Sequence, residues 1–255
     1  MNYLSYLLLL ILPVNFSGGI SYFPQSKIQN MQTQESPVYN VAKLKKSIVI
    51  DANWNKAHWK KIKPVEIKNY MGKVSIFQPE VKSKMMYNDA NLYVIFQVKD
   101  RFVKSVTTEF NGPVSTDSCV EFFFSPDSEF PLKYFNLEVN AGGTPLMFYI
   151  SKPMSDLKKL LPEELKQIEI AHSLPATVNP EITEAVTWTI EYKIPISLLR
   201  KYANVTHPAK GVKWKANFYK TGSKTSNPNY LTWSFVDNPR PNFHLPQFFG
   251  TLIFL

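Results

Sequence analysis

"DSCVEFFFSPDSEFPLKYFNLEVNAGG", residues 117–143, decides how the chain is read. Two runs, "CVEFFFS" and "YFNLEVN", are separated by a Pro-containing turn. Side chains alternate between the two faces of a strand. In the first run Val120, Phe122 and Phe124 therefore share one face, and Cys119, Glu121 and Phe123 the other. In the second, Phe135, Leu137 and Val139 oppose Tyr134, Asn136, Glu138 and Asn140. If the strands are neighbours, Glu121, Asn136, Glu138 and Asn140 form a polar plate over an apolar underside. Asn both donates and accepts hydrogen bonds and a carboxylate accepts strongly, which suits sugar hydroxyls. An ordinary wetted sheet face shows the same pattern, and alternation alone favours that plainer reading.

Working outward, the same grammar recurs. "VKSKMMYNDANLYVIFQVKD" predicts a hairpin turning at Asn88–Asn91. In its second arm Leu92, Val94, Phe96 and Val98 alternate with Tyr93, Ile95, Gln97 and Lys99. A short strand is expected at the start of "SIVIDANWNKAHWKKI", and further strands at "LMFYI", "QIEIAHSL", "VTWTIEYKIP", "VKWKANFYKTG", "NYLTWSFV" and "FFGTLIFL". About ten short strands with Pro, Gly and Asn punctuation predict an all-β, antiparallel, jelly-roll-like β-sandwich. Helix is confined to "MSDLKKLLPEELKQ" and "PISLLRKY", the latter with Pro195 at its first helical position.

Composition narrows the function. Of 255 residues 44% are hydrophobic and 14% aromatic, enough for a sizeable core. The single cysteine, Cys119, excludes an internal disulfide framework and a multi-cysteine zinc site. The net charge of +9 is local: residues 41–84 hold eleven lysines, no arginine and three acids. Base readout favours arginine, while lysine blunts sheet edges, so no nucleic-acid partner is expected.

The apolar run Leu4–Val14, followed by Ser17, Gly18 and Gly19, predicts a signal peptide over residues 1–19. No integral membrane segment is expected after its cleavage, and the protein is expected to be secreted or periplasmic. Residues 20–40 read as a linker and 41–255 as one domain.

The sequence carries no HExxH, GxSxG, Gly-rich phosphate loop or EF-hand loop. Cys119, between large apolar residues, reads as packing and not as a nucleophile. Trp54, Trp59, Trp188 and Trp214 read as core.

"IVIDANWNKAHWKKI", "MMYNDANLYVIFQVKD", "DSCVEFFFSP", "YFNLEVNAGG", "WKANFYKTG" and "NFHLPQFFGTLIF" together resemble family 9 carbohydrate-binding modules, specifically the family 9-like proteins of Bacteroidetes. The resemblance covers about residues 45–255 in order. It implies a non-catalytic β-sandwich that binds an oligo- or polysaccharide and works beside glycoside hydrolases in polysaccharide degradation or uptake. In the sugar-binding members two tryptophans clamp a terminal ring. Their positions correspond here to Val114 and Phe243, so one aromatic platform is kept by type and one is lost. An aromatic face covering ~60 Å² contributes about 1.5 kcal/mol, so losing one platform weakens binding roughly tenfold. The resemblance carries Glu121, Asn136, Glu138 and Phe243 over as binding residues. Tyr219, and Trp233 beside the Pro-rich loop of "LTWSFVDNPRPNFH", are further candidates. No metal and no cofactor are expected. Two alternatives remain: a glycoside hydrolase pairing Glu121 with Asp117 or Glu138, and a haem-carrying sandwich using Met85, Met86 and His172.

Overall fold

The computed structural model describes residues 36–153 and 155–255. The expected signal peptide, and the expected linker as far as residue 35, lie outside the described residues. Among them the strands are β1 (Val38–Lys43), β2 (Val65–Glu66), β3 (Asn69–Tyr70), β4 (Glu80–Tyr87), β5 (Asn91–Asp100), β6 (Val103–Ser105), β7 (Cys119–Ser125) and β8 (Tyr134–Asn140). They continue with β9 (Pro145–Lys152), β10 (Asp156–Lys159), β11 (Glu169–His172), β12 (Val178–Ile182), β13 (Val186–Pro195), β14 (Lys213–Thr221), β15 (Tyr230–Thr232) and β16 (Gly250–Phe254). Three one-turn helices intervene: α1 (Ala57–Lys60), α2 (Pro162–Leu165) and α3 (Ile196–Leu199). The first strand thus begins at Val38, inside the stretch expected to be linker.

Two layers face one another. The first runs β10-β9-β8-β7-β14-β16-β1, with β15 and β3 at its side; the second runs β1-β4-β5-β13-β11, with β2 beside β4. Strand β1 belongs to both. Val38–Val41 pair with β16, and Ala42 and Lys43 pair with β4, in each case in parallel. The other strand pairs are antiparallel, as expected; β1 is the exception, because a strand that crosses between layers meets partners distant in sequence.

The core lies between the layers. Phe122, Phe124, Leu137 and Phe218 from the first meet Val94, Phe96, Trp188 and Ile190 from the second. Phe218 stacks on Phe122 at 4.8 Å and meets the edge of Phe96 at 6.0 Å. Each such side chain contributes about 1.5–3 kcal/mol when fully buried. The alternation read in β7 and β8 is observed: Val120, Phe122, Phe124, Phe135, Leu137 and Val139 all enter this core.

The outer face of the second layer is covered too. Tyr93 and Ile95 pack under Leu44, Ile48, Ile50 and Trp59. Ser47–Ile50, expected as a strand, crosses the layer without joining its ladder. What holds this segment is Glu191 of β13, whose carboxylate accepts the N–H groups of Asp51 and Ala52 at 2.9 Å and Trp59 Nε1 at 2.7 Å, and pairs with Lys56 at 2.9 Å. A buried carboxylate is tolerated when its lone pairs are filled in this way. Trp59, Trp188 and Trp214 are buried as expected; Trp54 is half-buried, with Lys84 Nζ 4.0 Å from its ring. Asp156–Lys159, expected to be helical, is the edge strand β10, and Pro195 precedes α3 as its N-cap.

Candidate functional site

The outer face of the first layer carries the polar plate. Across β8, β7 and β14 the register sets Glu138, Glu121 and Tyr219 in one row. The adjacent rows place Asn136, Phe123 and Asn217 together, and Asn140, Cys119 and Thr221. Period-2 alternation sends all nine away from the core. They are nonetheless buried: the segment between β15 and β16 folds over Tyr219 and Phe123, and the stretch before β7 closes over Asn140 through Thr107 and Asp117. Phe243 stacks on Tyr219 with centroids 4.2 Å apart and planes 15° off parallel. His244 Nδ1 meets the Tyr134 hydroxyl at 2.9 Å, and Phe249 packs edge-on against Tyr134.

Between this segment and the turn at Val114–Thr116 a cavity of about 240 Å³ remains, open to solvent. Glu121, Phe123 and Glu138 form its floor, and Ser115, Ser223 and Phe243 contribute walls. Ser223 fixes the turn by donating its backbone N–H, at 3.1 Å, and its hydroxyl, at 2.9 Å, to the Ser115 carbonyl.

Two carboxyl groups in this setting cannot both be charged cheaply. Like charges ~4 Å apart repel by about 4 kcal/mol at an effective dielectric of ~20. Oxygens of Glu121 and Glu138 lie within 4.8 Å of one another and of Cys119 Sγ. Burial pushes Glu121 well above the usual carboxyl range, and the Glu138 charge adds to this. Burial raises Glu138 to about 7, against the hydrogen bond from Asn136, which favours its ionised form. Burial raises the Cys119 thiol as well, with Glu121 and Glu138 reinforcing it, and lowers His244, which therefore stays neutral. Cys119, Glu121 and Glu138 are the one set of such side chains among the described residues with metal-ligand spacing.

The six candidates divide into three groups. Glu121, Glu138 and Phe243 line the cavity together. Asn136 and Tyr219 stand behind it. Asn136 Nδ2 donates to Glu138 Oε1 at 2.9 Å while its Oδ1 accepts the Phe148 N–H at 2.9 Å, so it orients Glu138. Tyr219 is fully buried beneath Phe243 and donates its hydroxyl to the Phe243 carbonyl at 3.2 Å. Trp233 is not part of the site. It lies in the core, edge-on to Phe218 and Tyr39 at 5.6 and 6.5 Å. Its ring fills the space left by Gly250, where a Cβ would come within 2.5 Å of it. The Pro-rich neighbours that suggested exposure begin only after Trp233 has turned inward.

Val114, at the lost clamp position, is buried, and its neighbour Ser115 faces the cavity instead. Asp117, offered as a partner for Glu121, is taken up elsewhere: its Oδ2 accepts the N–H groups of Val106 and Thr107 and Asn140 Nδ2 at 2.8–3.1 Å. The haem alternative does not survive. Met85 is in the inter-layer core and Met86 in the outer cluster, on opposite faces of β4. Strand β11, which carries His172, lies three strands from β4, about 14 Å at ~4.8 Å per strand. Sequence reasoning missed Ser115, Ser223, Tyr230 and His244, which line the cavity from loops and strand ends.

The family profile described as carbohydrate-binding family 9 matches residues 46–254. The chain belongs to carbohydrate-binding family 9. Among solved structures, a candidate carbohydrate-binding protein from Bacteroides uniformis is 27% identical. The alignment covers 87% of this chain and 100% of that one, with a TM-score of 0.77. A family 9 module from Caldicellulosiruptor kristjanssonii, solved with cellotriose, is 16% identical over 86% of this chain and 93% of its own, TM-score 0.58. The same organism's module solved with glucose gives 16%, 86%, 96% and 0.58. At this identity the two modules establish the shared family 9 fold. No curated protein matches the chain significantly.

Proposed function

We propose that the chain is a non-catalytic carbohydrate-binding module that takes one sugar ring into the cavity between Glu121, Glu138 and Phe243. The observation that carries this is the Glu121 carboxyl: it is 2% exposed, lines an open cavity, and receives no hydrogen bond from a described residue. Its oxygens open onto the cavity, so a sugar hydroxyl entering there meets an acceptor that no described donor occupies. The reading also draws on the cellotriose and glucose seen in the two Caldicellulosiruptor modules. The cavity, about 240 Å³, is smaller than the ~300–1,000 Å³ of pockets for drug-sized ligands. That size suits a single ring at the end of an oligo- or polysaccharide.

Glu138, held by Asn136, accepts a sugar hydroxyl, and Glu121 opposite it offers a second carboxyl to the same ring. Phe243, backed by Tyr219, supports the apolar face of the ring, worth about 1.5 kcal/mol for ~60 Å² covered. With one platform where the clamp has two, affinity is expected near a Kd of ~1 mM, about −4 kcal/mol. The module is proposed to act outside the cytoplasm beside glycoside hydrolases, in the degradation or uptake of polysaccharide.

Calorimetry against mono- and oligosaccharides at neutral pH tests the proposal. Millimolar or tighter binding is expected, weakened at least tenfold by Glu121→Gln; silence across the panel overturns it.

A second reading, hydrolysis by the same pair, draws on their spacing within 4.8 Å, close to the ~5 Å of retaining glycosidases. Against it, both carboxyls rise from one sheet face, whereas hydrolysis needs them flanking the scissile bond. Release of reducing ends from a bound oligosaccharide, abolished by Glu121→Gln, would favour hydrolysis.

A further inference from the structure

We propose that the preferred sugar is a 2-amino-2-deoxyhexose with a free amine, whose ammonium group sits between Glu121 and Glu138. This rests on the sugar-binding reading and deepens it. The cavity holds two carboxyls and no counter-charge: none of its lining residues is Lys or Arg. The nearest lysine along the floor, Lys220, follows Tyr219 in β14 and so faces the other way. It is bound to Asp100 at 2.6 Å and Asn229 at 2.9 Å. His244, the one other basic group at the cavity, has Nδ1 engaged by the Tyr134 hydroxyl. The pair's only protein donor among the described residues is the neutral amide of Asn136.

By contrast, the second cavity, about 300 Å³ beside α2, carries both signs, with Glu109 and Lys159 in its lining. The charge imbalance distinguishes the Glu121–Glu138 site from that cavity.

A buried pair of carboxyls gains most from a ligand that brings a cation able to donate several hydrogen bonds. An ammonium does this with three N–H donors. A metal ion is the weaker candidate, since the third group in reach, Cys119, is a fully buried thiol beside those same carboxyls. Uronic acids and sulfated sugars would place an anion against the pair and are disfavoured. Phe243 adds an aromatic face in the same cavity, which also attracts a cation.

Calorimetric titration of the full chain at low ionic strength decides the matter. The probes are glucosamine, galactosamine and mannosamine, each set against its parent hexose and its N-acetyl form. At least one free amine is expected to bind about tenfold tighter than both of its neutral counterparts. The gain should shrink at high salt and vanish in Glu121→Gln, with the melting curve confirming that the variant folds. If the hexoses bind and no amine binds tighter, the inference is overturned and the sugar-binding reading stands. If no sugar of any kind binds, both fall. Equal amine and hexose affinities in the unmodified protein suffice to overturn it, whatever the variant does.

Discussion

Glu121 of β7 stands directly opposite Glu138 of β8 in the antiparallel register, with Asn136 the only donor to the pair among the described residues. Like charges facing each other across a strand pair oppose sheet formation. Among the described residues the fold accepts that cost at the floor of the open cavity, and this is where its pH behaviour and its ligand chemistry should meet.

The first consequence is a stability curve. Glu138 moves from an ordinary value of 4.5 to about 7 on folding, and Glu121 rises with it. Between these limits the folded protein holds more protons than the unfolded chain, so stability falls as pH rises. For Glu138 alone the fall is of the order of 3 kcal/mol. Carboxyls held low by hydrogen bonds, Asp51 chiefly by Lys56 and Glu164, against its burial, chiefly by the Tyr202 hydroxyl, act in the opposite sense and only at more acid pH. The melting temperature should therefore peak near pH 5 and drop by several degrees at pH 8. Glu121→Gln should flatten the drop and melt above the unmodified protein at pH 8. A melting temperature that climbs from pH 5 to 8 would contradict the pairing.

Phe243 and Tyr219 should separate by what is lost. Phe243→Ala removes the platform and is expected to weaken sugar binding about tenfold while costing little stability, since Phe243 is half-buried. Tyr219→Phe keeps the stack and removes the hydroxyl bonded to the Phe243 carbonyl. It should leave affinity within about threefold, at a stability cost of ~1 kcal/mol. Calorimetry and urea unfolding on both variants check the split.

Trp233→Phe probes the core assignment. The smaller ring leaves a void beside Gly250, and at ~24 cal/mol per Å³ of cavity the cost is about 1–2 kcal/mol. Urea unfolding should register that loss and sugar affinity should not change. Loss of binding with unchanged stability would return Trp233 to the site.

Glu191 anchors the segment that covers the second layer. Glu191→Ala leaves the Asp51 and Ala52 amides and Trp59 Nε1 without their acceptor, while Lys56 keeps only Asp51 and the Val49 carbonyl. Removing one partner of a buried charged network costs about 3–5 kcal/mol. Hydrogen exchange should quicken across residues 44–62, with the sugar site, on the other layer, unaffected.

Residues 117–143 were readable because alternation is local: each face of β7 and β8 follows from the residue order. The hairpin at Asn88 was equally legible, since the Asn88 side chain caps its own turn through the Ala90 and Asn91 amides. Long-range closure was not. Nothing in Val38–Lys43 signals that one strand serves two layers in parallel, and nothing around Trp233 reveals that Gly250 makes room for its ring. Ser115 and Ser223 become wall residues only because two loops distant in sequence share a hydrogen bond. Glu191 looks like an ordinary outward carboxylate in "TWTIEYK" until the covering segment is in place. Pattern thus gave the faces, and contact order hid the walls.

The most direct test is a crystal structure of the protein soaked with glucosamine and, separately, with glucose. The ring is predicted over Phe243, with its polar groups within hydrogen-bond distance of Glu121 and Glu138. A sugar seated only at the Glu109–Lys159 cavity, with the carboxyl pair untouched, would contradict the account.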